Sequence, residues 1–181
     1  MVFGYEPPSG QRYHKGILYF IGTKGGTDAY ENPQKTGAVT VRASSKSGAW
    51  EDHRVVQHEH DGNSNCTENI SNSWVMVVLK AKAVVTHYCL RHGARYSGSY
   101  RLRSWELQGS TDGADWRTLR AHANDQSLPD AALSTAGWAV DGGQGPFSHF
   151  RILQTGKNSN GRNCLLCAGI ELYGKLLAPG S

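Results

Sequence analysis

The chain has 181 residues, a formal net charge of +4 and 38% hydrophobic residues, which suits one domain with a sizeable core. It has no apolar run near the roughly 20 residues of a membrane span, and its start lacks the basic and apolar stretches of a signal peptide. Its basic residues are spread along the chain rather than gathered in a stripe, which argues against nucleic acid as a partner. We therefore expect one domain over 1–175 with no membrane or nucleic-acid contact, followed by a tail or cloning remnant at 176–181.

Short runs of alternating apolar and polar residues recur along the chain and predict about nine strands. The first, an apolar run at 16–21, is predicted to be strand-like, whereas 44–72 is long, polar and without usable periodicity. Two β-rich runs, 74–79 and 84–92, are predicted to be separate strands because Lys80-Ala81-Lys82 lies between them. The remaining predicted strands are 37–43, the two strands of a hairpin, 137–140, 149–155 and 168–174.

The hairpin is the clearest local pattern. Trp105 and Leu107 alternate with polar neighbours, and the residues 110–113, Ser-Thr-Asp-Gly, are typical of a tight turn. Trp116 and Leu119 supply apolar contacts on the return strand. Many short strands with Gly-rich turns and no convincing helix favour a β-sandwich or barrel. The side chains expected in its core are those of Trp74, Trp105, Leu107, Trp116, Ile152 and Tyr173.

The hairpin sequence, W-E-L-Q-G-S-x-D-G-x-x-W-x-x-L from Trp105 to Leu119, resembles the central hairpin of the discoidin or coagulation-factor type C family. Three further runs are similar to strands of that family: 73–79, 150–152 and 169–174. The first departs from the family pattern, since Val78 and Lys80 stand at its acidic and glycine positions. The resemblance implies an all-β, jelly-roll-like β-sandwich of the discoidin type, in the galactose-binding-like superfamily.

A narrower likeness involves 21–27, 32–33, 87–93 and 154–158. These runs resemble an intracellular branch of the same domains, found beside BTB or ubiquitin-ligase modules, with the Doc subunit of the anaphase-promoting complex as a more distant relative. This likeness implies a module that recruits a protein, not a catalyst. It also implies a cytoplasmic location.

Cysteine usage agrees with that location. Secreted relatives commonly join their two termini by a disulfide, but this chain has no cysteine before Cys66 or after Cys167. We expect a reducing compartment and four free thiols. Cys89 is expected to be buried in a strand as a small apolar residue.

Catalytic and metal sites are weakly indicated. The serines lack a G-x-S-x-G elbow, and the glycine-rich run 22–27 lacks the order of a phosphate loop, so we expect a structural turn there, no enzyme and no cofactor. A zinc site would need His58 and His60 to meet Cys164 and Cys167, with His53 nearby. Core and loop roles for these residues are the favoured alternative.

The candidate binding site is therefore a set of loops, because loops on a rigid scaffold collect binding residues. Loops 24–32, 44–72, 91–100 and 154–163 are expected to converge at one end of the sandwich, and neither 91–96 nor 154–158 is expected to supply a core residue. The partner is expected to be a protein or peptide, for which aromatic and arginine side chains are favoured anchors. Carbohydrate is the alternative, and a metal-dependent enzyme is disfavoured. The candidate ligand-binding residues are Tyr30, Arg91, His92, Arg95, Tyr96, Lys157, Asn158 and Arg162.

Overall fold

Antiparallel strands form almost all of the regular structure. A computed structural model of the protein describes residues 1–4, 15–93, 100–129, 131–141 and 145–178. Its elements are β1 (Val2–Phe3), α1 (Ile17–Gly22), β2 (Val39–Ala43), a 3-10 helix (Asp52–Val56), β3 (Asn65–Cys66), β4 (Trp74–Arg91), β5 (Trp105–Ser110), β6 (Arg117–His122), β7 (Thr135–Ala139), β8 (Phe147–Gln154), β9 (Leu166–Cys167) and β10 (Gly169–Leu176). The prediction of an all-β sandwich is confirmed.

One long strand, β4, belongs to both layers of the sandwich. Its first half pairs with β2 and β8, and β8 continues to β5 and β6. Its second half pairs with β10 and β7. The register shifts between Val78 and Ala83, where the strand passes from one layer to the other. The prediction of two separate strands here was wrong, because β4 continues through Lys80 and Lys82, which are exposed where the register shifts.

The core lies between these layers. Trp105, Leu107, Ile152 and Tyr173 are buried as predicted. Trp74 and Trp116 are only half-buried, so their assignment to the core was wrong. They lie on the outer face: the Trp116 ring packs under the Arg151 guanidinium, whose carbon is 4.0 Å from the ring centroid, a cation–π arrangement typical of a partly exposed aromatic.

The first apolar run is a helix, α1, and not the predicted strand. The carboxylate of Glu171, in β10, accepts hydrogen bonds from the backbone N–H groups of Leu18 (2.8 Å) and Tyr19 (3.0 Å). The first N–H groups of a helix have no partner within it, and Glu171 supplies one from a position 153 residues away from Leu18. Local sequence carries no sign of that contact.

Two regions predicted as irregular also contribute to the structure. The long polar segment 44–72 contains the 3-10 helix, which buries Val55 and Val56, and the short strand β3. The turn 23–27 follows α1 with positive φ at Lys24, Gly25 and Gly26. Its role as a glycine-shaped turn therefore fits its backbone conformation.

A buried polar network lies beside Trp105. The indole N–H of Trp105 donates to the hydroxyl of Tyr88 (2.9 Å), which is 2.7 Å from Nε2 of His122. Nδ1 of His122 is 2.6 Å from a carboxylate oxygen of Asp125, and the His122 ring stacks on Trp105 with centroids 4.0 Å apart. Since the Tyr88 oxygen already accepts from Trp105, its proton is directed to Nε2, and the imidazole is neutral with its proton on Nδ1. Burial accordingly lowers the pKa of His122.

The two ends of the sandwich differ in what they contain. Chain termini meet at one end, where the N–H of Leu176 donates to Met1 and that of Leu177 to Lys82. The start and the end of β4 meet at the other end, since Val75 and Arg91 line the same small interior space. The described parts of the loops after β2, β3, β4 and β8 lie at this second end, which we call the loop end.

Candidate functional site

The loop end carries an open cleft of about 250 Å³. Four separate stretches of chain line it: the turn after β2, the segment that follows β3, the residue Tyr100 before β5, and the stretch that leads into β9. We call it the rim cleft and define it by its lining residues, Ser47, Cys66, Thr67, Glu68, Asn69, Tyr100, Arg162, Cys164 and Leu166.

Asn158 fixes the loop that forms one wall. Its side chain is buried and its amide nitrogen donates to the carbonyl oxygen of Cys164 (2.9 Å). Its amide oxygen accepts from the backbone N–H groups of Asn160 (3.0 Å) and Arg162 (3.1 Å). One buried amide thus forms hydrogen bonds with three backbone groups of the loop. These bonds hold Arg162 in position at the edge of the cleft.

The opposite wall is joined to this loop by hydrogen bonds. The N–H of Thr67 donates to the carbonyl of Leu165 (3.0 Å), and the N–H of Leu165 donates to the Thr67 hydroxyl (2.8 Å). The amide oxygen of Asn69 accepts from the N–H of Asn163 (2.7 Å). These bonds connect residues about a hundred positions apart in sequence, so the two walls form one rigid unit.

The third wall, before β5, is held in the same way. The N–H of Arg101 donates to the Ser159 hydroxyl (3.0 Å), and the N–H of Ser159 donates to the carbonyl of Arg101 (2.9 Å). Gly93 lies behind the cleft, where a Cβ atom would collide with the side chain of Leu166. Any larger residue at 93 would therefore displace the floor.

The rim of the cleft is polar and its floor is apolar. Glu68, Asn69 and Arg162 are exposed on the rim, and Tyr100 is half-buried. Ile70, which follows Asn69, leaves 54% of its surface in water, one of three exposed large hydrophobic residues among those described. An arginine, a tyrosine and an aliphatic side chain around a small apolar floor are suited to anchoring one or two side chains of a partner.

Two thiols face this floor. Cys164 is buried and Cys66 is half-buried, and the Cys66 thiol donates to the carbonyl of Thr67 (3.2 Å). Burial, and secondarily the neighbouring Cys164, raises the pKa of the Cys66 thiol to about 12. The Cys66 thiol is therefore protonated at neutral pH.

The six predicted ligand residues that the structure describes do not line one common cleft. Arg162 lines the rim cleft, Lys157 is exposed on the same loop, and Arg95 and Tyr96 lie outside the described residues. Arg91, His92 and Asn158 are buried, so the expectation that their loops supply no core residue was wrong. The charged head of Arg91 donates to the backbone carbonyl of His58 (2.8 Å) and so fixes the segment 57–58 from inside.

Tyr30 belongs to that neighbouring region and not to the cleft. Its hydroxyl donates to the carbonyl of Val56 (3.0 Å) and accepts from the N–H of His58 (3.2 Å). Its ring stacks on Tyr19 with centroids 5.4 Å apart. Burial raises the pKa of Tyr30 to about 12. The segment 24–32 is thus linked to Arg91 through 56–58 but contributes no residue to the lining of the rim cleft.

Three of the four predicted loops, 44–72, 91–100 and 154–163, contribute residues to the rim cleft, but most of its lining residues were not predicted. Glu68, Asn69 and Tyr100 fall in the predicted loops 44–72 and 91–100, yet nothing in the local sequence separates them from their polar neighbours. The four cysteines are free thiols, with Cys89 buried in β4 as expected. Among the described residues, no group of three or more His, Cys, Asp or Glu side chains could hold a metal ion, so the His58–His60 and Cys164–Cys167 pairs do not meet.

The strand order, the continuous β4 and the loop-end cleft define a discoidin-type β-sandwich. Solved structures with this fold include an F5/8 type C domain from Bacteroides fragilis (22% identity, TM-score 0.62, 78% of this chain and 94% of that one). A second is CBM32-5 of GH89 from Clostridium perfringens, in complex with GalNAc-β-1,3-galactose (14%, TM-score 0.59, 78% and 98%). A third is the lectin domain of lectinolysin complexed with Lewis B antigen (14%, TM-score 0.59, 75% and 92%). The predicted resemblance to coagulation-factor type C domains is therefore confirmed.

No family model matches the chain, but several proteins are similar to it in sequence. Three of them are the E3 ubiquitin-protein ligase Ufd4 of Drosophila melanogaster (34% identity, 90% of this chain), the E3 ubiquitin-protein ligase hecd-1 of Caenorhabditis elegans (35%, 90%) and a BTB/POZ domain-containing protein of Arabidopsis thaliana (29%, 88%). The chain spans 6% of the length of each ligase and 20% of the BTB/POZ protein. In the part of the chain that the structure describes, no helix is long and apolar enough to cross a membrane.

Proposed function

We propose that this domain is a non-catalytic recognition module that binds a protein or peptide partner at the rim cleft. The module would recruit that partner for a larger intracellular protein that acts in ubiquitination. Similarity to two E3 ubiquitin-protein ligases over 90% of this chain supports the ubiquitination context. The discoidin-type fold, shared with lectin and carbohydrate-binding domains, supports binding over catalysis.

The observation that carries the proposal is that the rim cleft combines fixed walls with exposed side chains. Three buried or backbone-paired connections, through Asn158, Thr67 and Ser159, hold its walls. The side chains of Glu68 and Arg162, by contrast, extend into solvent. A rigid scaffold with exposed charged and aromatic groups limits the entropy lost on binding.

The residues of the rim suit a peptide better than a small ligand that carries charge of one sign. Glu68 and Arg162 place charges of opposite sign on the rim, and Ile70 adds an exposed aliphatic contact beside them. Such a mixture matches a segment that carries an apolar anchor with polar flanks.

Carbohydrate is the second candidate, supported by one specific observation. The solved domains from Clostridium perfringens and lectinolysin share this fold and are described in complex with GalNAc-β-1,3-galactose and Lewis B antigen. Tyr100, Asn69 and Arg162 are residue types that stack on and hydrogen-bond to sugars. Both candidates use the same cleft, so one set of variants serves to test them.

The test is a selection of random peptides on the immobilised domain, followed by measurement of affinity by fluorescence polarisation. We expect selected peptides to bind the wild type and to lose about fivefold or more in affinity with Arg162→Ala or Glu68→Ala, since anchors of this kind contribute about 1 kcal/mol or more.

Arg117→Ala is the matched control. Arg117 is exposed in β6 beside the turn 111–116, at the opposite end of the sandwich, and its loss should leave the affinity unchanged. Selected peptides that bind Arg162→Ala as tightly as the wild type would remove the rim cleft from the proposal. A glycan array that binds the wild type but not Arg162→Ala, with no peptide selected, would favour the carbohydrate alternative.

A further inference from the structure

Two cysteines that are distant in sequence share the floor of the rim cleft. Cys66 lies in β3 directly opposite Leu166 of β9, and residues opposite each other in an antiparallel pair point to the same face. Cys164 precedes Leu166 by two positions, which returns its side chain to that face. Cys66 and Cys164 both line the cleft, and Cys164 is near enough to Cys66 to contribute to the raised pKa of the Cys66 thiol.

The other two cysteines are placed away from this pair. Cys167 follows Leu166 by one position, so it points to the opposite face of β9, where its thiol donates to the carbonyl of Gly169 (3.7 Å) and its side chain lines the interior. Cys89 is fully buried beside Tyr173. Only the pair Cys66 and Cys164 therefore lines a common cleft that opens to solvent.

We propose that Cys66 and Cys164 are a modification site: a small-molecule disulfide oxidises them to an intramolecular disulfide across the floor of the rim cleft. Cys66 is the entry point because it is half-exposed, and Cys164 is the resolving residue because it is buried beneath it. The loop that carries Cys164 is held by Asn158, whose amide nitrogen lies 3.5 Å from the Cys164 sulfur. This contact keeps the second thiol next to the first.

The reaction is two successive thiol–disulfide exchanges. The Cys66 thiolate attacks one sulfur of the small-molecule disulfide, which forms a mixed disulfide and releases one small thiolate. The Cys164 thiolate then attacks the Cys66 sulfur, which forms the Cys66–Cys164 bond and releases the second small thiolate. The two protons lost by the cysteines are taken up by the two leaving thiolates, and the two electrons lost by the protein reduce the oxidant.

The environment of the pair makes this site slow and selective. The thiolate is the attacking species, and burial raises the pKa of Cys66, so little thiolate is present at neutral pH. The rate should rise roughly tenfold for each pH unit between pH 7 and 9, because the thiolate fraction rises in that proportion. A disulfide is easily reduced when its thiolate form is stabilised by the surroundings. The high pKa of Cys66 shows no such stabilisation, so we expect the disulfide to persist once it has formed.

The experiment uses the wild-type protein with glutathione disulfide at pH 8, followed by acid quenching, alkylation in denaturant and mass spectrometry of the digest. We expect the mass of the protein to fall by two hydrogen atoms and one linked peptide pair to appear, joining Cys66 to Cys164. Cys89 and Cys167 should be recovered alkylated. Loss of no hydrogen, or a link between any other pair, would overturn the proposal.

Single variants assign the roles of the two thiols. Cys164→Ser should retain one glutathione on Cys66, whereas Cys66→Ser should acquire neither a bond nor a glutathione. Cys89→Ser is the matched control and should form the bond at the wild-type rate. If a serine variant fails to give a cooperative melt, the alanine variant replaces it. Formation of the bond in Cys66→Ser would contradict the assignment.

The effect of this bond on ligand binding rests on the proposed function. Oxidation ties the two walls of the rim cleft together, so the affinity of a selected peptide should differ between the reduced and the oxidised protein. The mass measurement does not depend on any ligand. A bond that forms while no peptide is selected would count against the proposed function alone, and a selected peptide without a bond would count against this site alone.

Discussion

The buried network around Trp105 and the rim cleft both bring polar and aromatic side chains together, but they use them differently. In the network, Tyr88, His122 and Asp125 are hydrogen-bonded to one another and to neighbouring groups, and the Trp105 ring stacks on His122. In the cleft, the backbone and Asn158 are paired while the Glu68 and Arg162 side chains are exposed. Buried polar groups must be paired for the fold to be stable, whereas exposed ones are free for recognition. Substitutions in the two regions should therefore change different measured quantities.

The largest effect on stability is expected from Trp105→Ala. Trp105 is fully buried, and its removal leaves a cavity and deprives Tyr88 of a donor, which should lower the free energy of unfolding by about 3–5 kcal/mol. Urea denaturation followed by circular dichroism measures the change. Trp116→Ala is the control, because Trp116 is half-exposed on the outer face and should cost clearly less. Equal losses in the two variants would contradict the division between core and surface.

Asn158→Ala tests the scaffold of the cleft. It removes one side-chain donor and one acceptor from a buried position, and we expect the free energy of unfolding to fall by about 2 kcal/mol. Because the same bonds place Arg162, affinity for a selected peptide should fall as well. Asn160→Ala, at an exposed position on the same loop, should change neither quantity. If Asn158→Ala unfolds like the wild type, the loop is held by something other than this amide.

The network also predicts a pH dependence. The pKa of His122 in the folded protein is lowered by burial below its ordinary value of 6.5, so the unfolded chain binds the proton more readily. The stability due to neutral His122 is present above pH 6.5 and is lost as pH falls through 6.5 and below. The free energy of unfolding, measured by urea titration from pH 7.5 to 5.5, should fall less steeply in His122→Gln than in the wild type. If the free energy of unfolding depends on pH equally steeply in the two proteins, protonation of His122 does not affect stability.

Arg162→Ala is expected to have the smallest effect on stability. Its side chain is exposed, and the bonds that it makes with Asn158 and Gln154 involve only its backbone. The melting temperature should match that of the wild type, with a change in the free energy of unfolding within about 0.5 kcal/mol. Since the same variant is expected to lose peptide affinity, it separates recognition from folding. A large drop in melting temperature would show that the Arg162 side chain stabilises the fold.

More of the fold than of the candidate site could be predicted from the sequence. The hairpin was predictable because Trp105 and Leu107 alternate with polar residues, and because Asp112 and Gly113 favour the turn that joins β5 to β6. In the structure the Asp112 carboxylate accepts from the N–H groups of Ala114 and Asp115, and Gly113 has a φ of +79°. For the rim cleft, the loops were predictable as polar segments between strands, but the selection of Glu68, Asn69 and Tyr100 was not.

The sequence by itself determined most of the strand pattern, the turn residues and the discoidin-type fold. Each of these follows from patterns of residues that are close together in the chain. Tertiary structure alone decided three other features. The run at 17–22 became a helix because Glu171 supplies acceptors to its first N–H groups. Arg91, at the end of β4, and Asn158, in the loop after β8, are buried because backbone carbonyls of His58 and Cys164 accept hydrogen bonds from them. Cys66 met Cys164 because β3 pairs with β9. Each depends on a contact whose partner is set by the path of the whole chain, and local propensity carries no information about that partner.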